Sequence, residues 1–412
     1  MSLCRFYPTA SDRMAIIWSL MPIGNAVVLE YGPAGTTHFG GGLYSSLGLE
    51  LGRSLFTTHI SEDDVIMGDV SRLENAILEI EEAYHPEIIF VVAAAVIAVI
   101  GTDIAGVCHY MQEKVNARLI SFEEGGFRGD YTYGLRSVYR MLSREVVKSA
   151  PKRERTYNII GASAGSYRVR SDVWEIKNLM REAFDYECGC VMGLECTVED
   201  IGQMGGSELN LAIRIEALEA AEMLKSKCDT PYYYGAPYGY TGTLEWLCGI
   251  SKIIGKEINP ALVKRLKDKS MRLMPMGGPM GMGMMGRTKP NASIQGDYDT
   301  LIGIKQALDE MDIETINMIC SHSLKSINSS EPQICFMNKE KERIGLFKSL
   351  RGQWCLGSDE MALFCSNDDY FTLISAPFTS KYQRATHLPF MGEKGMDYLV
   401  ELKSEFFDKF DY

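Results

Sequence analysis

Short apolar runs rich in β-branched residues recur along the chain, each followed by a longer stretch with helical spacing. Apolar runs without alternation are strands buried on both faces, and joining such strands through helices gives parallel crossovers. The pattern therefore predicts α/β layers with parallel sheets. In the first third, Asn25–Glu30 reads as a strand ending in the turn Tyr31-Gly32-Pro33-Ala34-Gly35. Ser71–Tyr84 places Leu73, Ala76, Ile77 and Ile80 on one helical face. Ile88–Val92 and Arg118–Phe122 are further strands flanking a helix around Gly106–Asn116, and Tyr131–Ala150 is helical up to Pro151.

A chain of 412 residues exceeds one ordinary core, so it should divide. The polar stretch Pro151–Arg155 reads as a linker. A second unit follows: strand Tyr157–Gly161, helix Asp172–Phe184, strand Tyr186–Leu194, helix Leu209–Lys225, strand Pro231–Gly235 and helix Leu244–Ile254. A third begins with strand Met271–Met276 and enters the Gly/Met tract Gly277–Gly286. Helix Thr300–Glu310, strand Thr315–Ile319, helix Lys339–Leu350 and strands near Met361–Cys365 and Phe371–Ser375 complete it. The expectation is three Rossmann-like, doubly wound parallel-sheet domains over residues 1–150, 151–256 and 257–412. Such folds bind ligands beyond the carboxyl ends of their strands.

Charge and composition exclude several functions. A net charge of -12, with no cluster of basic residues interleaved with aromatics, leaves no footprint for nucleic acid. The longest apolar run, Ile88–Ile100, falls short of the ~20 residues a membrane-spanning helix needs. The first residues lack a basic segment followed by an apolar one, so no export signal is expected and the chain should stay in the cytosol. Eleven cysteines there are reduced thiols rather than a disulfide framework. The six histidines show no metal-ligand pairing, so a metal would sit on thiolate.

Several side chains then become candidates. Cys188 and Cys190 lie two apart on a strand and should share a face, with Cys196 beyond the strand end. Together they form either a soft-metal site, tested first at Cys196, or two buried strand cysteines and a loop cysteine. Glu124 and Arg128 flank a Gly-rich loop at a strand end, placed to position a ligand or to make a solvated ion pair. Within the Gly/Met tract, Gly277 and Gly278 let backbone approach a ligand closely, with Arg287 just beyond its end; a surface loop is the alternative. The GxGxxG spacing of Gly281, Gly283 and Gly286 is discounted, because Pro290 opposes the helix that a dinucleotide site requires. Tyr232, Tyr233 and Tyr234 read as packing.

Seven segments in register give the chain a resemblance to the alpha chain of nitrogenase component 1 and its relatives. They are Cys4, Tyr31–Thr36, Ile100-Gly101-Thr102-Asp103-Ile104, Glu124-Gly125-Gly126-Phe127-Arg128-Gly129, Tyr157–Gly161, Leu209-Asn210-Leu211 opening a helix, and Pro389–Met396. The resemblance implies an interface iron–sulfur cluster, a [4Fe-4S] centre shared with a partner chain. It also implies a second component 1-type subunit and a separate ATP-hydrolysing iron protein. The absence of a GxxxxGK[ST] sequence agrees with the ATP site lying on that other protein. The departures are specific. Of the three cysteines the family alpha chain gives to that cluster, Cys4 matches the first, whereas Thr36 and Ala95 occupy the other two positions. The family's cofactor cysteine falls at Arg214, and His387 is out of register with its closing histidine. The expected function is a nitrogenase-like reductase subunit. The alternatives are a scaffold for cofactor assembly and a cluster-free small-molecule binder.

Overall fold

The structure, a computed structural model, describes residues 9–47, 49, 54–273, 289–322, 333–374 and 388–410. Cys4, Gly277, Gly278 and Arg287 lie outside the described residues, with the rest of the Gly/Met tract. The chain opens with helix Asp12–Leu20 and strands β1 (Ile23–Gly24), β2 (Ala26–Tyr31), β3 (Leu55–Thr57), β4 (Ile88–Ala93) and β5 (Arg118–Phe122). The middle contributes β6 (Arg153–Ile160), β7 (Glu187–Val191), β8 (Cys196–Thr197), β9 (Ser207–Ala212) and β10 (Tyr232–Tyr234). The last stretch contributes β11 (Asn291–Gly296), β12 (Glu314–Cys320), β13 (Ile334–Phe336), β14 (Trp354–Gly357) and β15 (Tyr370–Leu373).

Three parallel sheets result, with orders β3-β2-β4-β5, β10-β9-β6-β7 and β13-β12-β11-β14-β15. All six residues of β2 and of β4 are buried, as continuous apolar runs require in a sheet covered on both faces. Each order reverses direction once, between β2 and β4, between β6 and β9, and between β11 and β14. These switch points open crevices at the strand carboxyl ends, where α/β folds receive ligands. The ribbon β1-β8 ties the lobes together by pairing Ile23 with Cys196 and Gly24 with Thr197.

Helix Ser71–Tyr84 forms over the expected residues, with Leu73, Ile77 and Ile80 buried. Helix Tyr131–Glu145 ends before the expected Ala150 and lies against helix Asp12–Leu20. Gly134 permits that approach, since a Cβ there would stand 2.1 Å from the Asp12 carbonyl oxygen. Trp18 reaches the middle lobe, its Nε1 donating to Ser163 Oγ at 3.0 Å. The closing helix Gly392–Phe410 binds two lobes. Its approach is fixed where the Phe390 and Met391 amides donate to Asp172 Oδ1 at 2.7 and 3.1 Å, and Phe406 stacks on Trp354 at 5.6 Å.

Four expectations are corrected. Leu209-Asn210-Leu211 does not open a helix: it lies inside β9, between β6 and β10, and the helix starts at Leu218. Met271–Leu273 end a helix, Pro260–Leu273, and the first strand of that sheet is the polar Asn291–Gly296. Its polarity is satisfied internally, with Ser293 Oγ donating to Gln353 Oε1 at 2.6 Å and Gln295 Nε2 to Glu360 Oε2 at 3.0 Å. Residues around Met361 are helical, Asp359–Phe364, and the strand precedes them as β14. The expected linker is shorter, because β6 already begins at Arg153. Lys152 is anchored, its Nζ donating to the Gly205 and Ser207 carbonyls at 3.1 Å.

Candidate functional site

At the first switch point, the turn after β2 meets the helix after β4. A Cβ on Gly32 would stand 2.2 Å from Ala94 Cβ, so only glycine lets the two segments touch there. Thr36, in the first turn of helix Ala34–Ser46, and Ala95, the first residue of helix Ala95–Ile100, follow this contact on its two sides. Thr36 Oγ1 donates to the Pro33 carbonyl at 2.9 Å, and Ala95 has no donor atom. A four-iron cluster is held by four thiolates. The two described positions therefore do not fit the family's cluster, since neither Thr36 nor Ala95 can supply a thiolate.

The other two switch points face each other. Arg214 follows β9, whereas Asp297 and Asp299 follow β11. Arg214 Nη1 donates to Asp297 Oδ1, in a buried ion pair between the second and third sheets. Thr300 holds the same carboxylate through its amide and hydroxyl, at 3.0 and 2.9 Å. Asp299 accepts from the Ile215 amide at 2.9 Å and from the Tyr234 hydroxyl at 2.7 Å. His322, just beyond β12, accepts from the Tyr298 amide at Nε2 (3.2 Å) and stands edge-on to Tyr131, with ring centroids 5.5 Å apart. Tyr131 opens helix Tyr131–Glu145, so all three lobes contribute to one buried cluster.

Its charges are unequal. Burial opposes ionisation of Asp297, but the Arg214 guanidinium and the Thr300 amide outweigh it and hold the carboxyl below its ordinary range. Burial, reinforced by Asp299 and Asp297, pushes Glu216 up to about 8, so it carries a proton at neutral pH. Burial likewise raises Asp299 to about 6, with Arg214 opposing. Burial lowers His322, leaving a neutral ring. Because Nε2 accepts, the ring proton sits on Nδ1. Three atoms here, Arg214 Nε, Glu216 Oε2 and His322 Nδ1, have no hydrogen-bond partner among the described residues. Unpaired buried polar atoms cost about 1–3 kcal/mol each, which a bound polar ligand can offset. A guanidinium where the family alpha chain places a thiolate repels a metal ion, so a cofactor ligated at this position does not fit either.

Glu124 and Arg128 both line a cavity of about 530 Å³ at the carboxyl end of β5, with Ser137, Arg140 and Arg144. Glu124 takes its hydrogen bond from Ser137 Oγ, at 2.6 Å. Cys196 is buried in β8 and accepts from the Cys190 thiol and the Gly193 and Leu194 amides, which lower its pKa against the effect of burial. Cys188 does not share the face of Cys190. The β6–β7 register shifts so that Tyr157 pairs Cys188 and the next residue pairs Cys190, a bulge at Gly189 that breaks the alternation. The structure thus brings Cys190 and Cys196 together and separates Cys188. The sequence reading flagged only Arg214 from the central cluster. Asp297, Asp299, Glu216 and His322 were missed, although an Asp-x-Asp after a strand and the lone histidine after β12 were visible signals.

Comparison with known proteins identifies the class to which this three-lobed chain of parallel sheets belongs. The sequence profile of the nitrogenase component 1 type oxidoreductases matches residues 13–403. The chain belongs to that family. It is 28% identical over 242 residues to the nitrogenase iron-molybdenum cofactor biosynthesis protein NifE of Clostridium pasteurianum, covering 58% of this chain and 52% of that protein. NifE of a Nostoc species is 32% identical over 242 residues, covering 58% and 50%. The nitrogenase molybdenum-iron protein alpha chain of Clostridium pasteurianum is 25% identical over 256 residues, covering 60% and 47%. The chain thus spans about half the length of the curated relatives it matches. Among solved structures, nitrogenase Cp1 at pH 6.5 superposes with a TM-score of 0.76 at 17% identity, over 98% of this chain and 94% of that one, a likeness of fold. No helix among the described residues is long and apolar enough to cross a membrane.

Proposed function

We propose that this chain is the substrate-handling subunit of a nitrogenase-like reductase that delivers electrons and protons to a small unsaturated or tetrapyrrole-like organic acceptor. The observation that carries this reading is the protonated Glu216 and the neutral His322 around the Arg214–Asp297 pair, where strand ends of the second and third lobes meet helix Tyr131–Glu145 of the first. Glu216 holds a transferable proton near neutral pH, and Arg214 orients an anionic or carbonyl group of the acceptor. Electrons would come from an ATP-hydrolysing iron protein, in a complex with a second component 1-type subunit. Helix Ala95–Ile100 supports such a partner. It is wholly apolar, with Val99 71% exposed beside the loop bearing Phe127, 65% exposed. Since Thr36 and Ala95 offer no thiolate, the sulfur donors of any interface [4Fe-4S] cluster fall to Cys4 and the partner.

The test is anaerobic co-expression with such a subunit and an iron protein. The complex should contain iron, detected by EPR and diminished by Cys4→Ala. It should also reduce an added acceptor with a rate that declines above a pH of about 8, a decline that Glu216→Gln should abolish. A complex free of iron with every partner overturns the reading. The NifE relatives favour a second one, a scaffold on which a cofactor is assembled. A cofactor leaving with a recipient protein, without acceptor turnover, separates the two.

A further inference from the structure

Away from the central cluster, the third sheet gathers donors that the reductase reading does not use. Cys355 is buried in β14. Cys365, half-buried, ends helix Asp359–Phe364, and Asp369 is buried just before β15. The two sulfurs and one carboxylate oxygen all lie within 4.8 Å of one another. We propose that Cys355, Cys365 and Asp369 bind a divalent cation of the zinc class, with a fourth position open to water or an exogenous ligand on the side of Cys365.

The geometry favours this over an accidental grouping. Tetrahedral zinc with bonds of about 2.0–2.3 Å spaces its ligand atoms roughly 3.3–3.8 Å apart, so the donors need close only by small side-chain rotations. Asp369 is already oriented, its Oδ1 accepting from the Gln353 amide at 3.3 Å and its Oδ2 from the Ser366 amide at 3.0 Å. Each oxygen keeps a further lone pair for a metal. Strand pairing of β14 with β15 fixes the distance between two of the three segments. Cys355 belongs to an apolar cluster with Ile319, Phe347, Leu350 and Met361, a dry wall that strengthens attraction between an ion and its anionic ligands. Two thiolates select a soft or borderline ion over magnesium or calcium. The carboxylate sets the trio apart from a simple thiol pair poised for oxidation. Binding would displace the two thiol protons into solvent.

The probe is Co²⁺ added to the reduced full-length chain. Wild type should take up one equivalent with the thiolate-to-cobalt charge-transfer and intense d–d bands of a tetrahedral site, and Zn²⁺ should erase them. Cys365→Ser and Asp369→Asn should weaken binding roughly tenfold or more. Cys248→Ser, at an exposed cysteine, should leave it unchanged. Cys365→Asp, which keeps a donor atom in place, should still bind with a diminished charge-transfer band. Either the absence of thiolate–cobalt bands in wild type or their full survival in Cys365→Ser overturns the proposal. So does a reduced protein that binds no Co²⁺ while mild oxidation joins Cys355 to Cys365.

Discussion

Replacing Arg214 by methionine keeps most of the side-chain volume and removes the one cation paired with Asp297 among the described residues. Both groups are buried, at 6% and 9% exposure, so the carboxylate left behind cannot turn to water. Breaking a buried pair from one side costs about 3–5 kcal/mol. The two Thr300 hydrogen bonds persist and keep the loss near the lower end, about 3 kcal/mol at neutral pH. The deficit should depend on pH. In the wild type Asp297 is held below its usual range, so its contribution is full above the unfolded pKa and fades only as pH falls through the lower folded value. Without the guanidinium, burial is opposed chiefly by the Thr300 hydrogen bonds, and the folded pKa rises. The penalty then shrinks as pH falls through that raised value. Adding Asp297→Asn removes the stranded charge, and the double variant should be more stable than Arg214→Met alone. Urea unfolding followed by tryptophan fluorescence at pH 5 and 7 measures all three proteins. A double variant no more stable than the single one, or a deficit identical at both pH values, would refute the coupling.

Glu216, raised from 4.5 to about 8, contributes stability that is complete below the unfolded pKa and is lost as pH climbs through 8. Glu216→Gln should flatten that decline, visible as a smaller difference between urea midpoints at pH 5 and 8; equal slopes would contradict the assignment. Gly134→Ala should destabilise by about 1–3 kcal/mol, because the new methyl meets backbone at Asp12 that no rotamer change can move. Thermal unfolding at the wild-type temperature would show the assignment wrong.

The fold was legible where strands were apolar throughout. Ile88–Ala93 and Arg118–Phe122 announced themselves by composition, and Ser71–Tyr84 by its periodicity. β11 was hidden because Ser293 and Gln295 find their hydrogen-bond partners in Gln353 and Ser358, some sixty residues on, an arrangement that no local pattern reveals. β9 was misread because Leu209–Ala212 runs directly into residues with helical preference, and only pairing with β6 on one side and β10 on the other decides the matter. The site was less legible still. Arg214 stood out by resemblance, but its partner is 83 positions away and follows a strand that the sequence did not disclose. The bulge at Gly189 separates two cysteines that simple alternation put side by side.

The two-residue ribbon between β1 and β8 has a consequence for how the molecule is made. Ile23 and Gly24 leave the ribosome before the backbone they pair with, at positions 196 and 197, has been made. The amino-terminal third must therefore wait, with that stretch unzipped, until the middle third arrives. A chain nicked between 150 and 151 should stay associated as two fragments, stitched through main-chain hydrogen bonds.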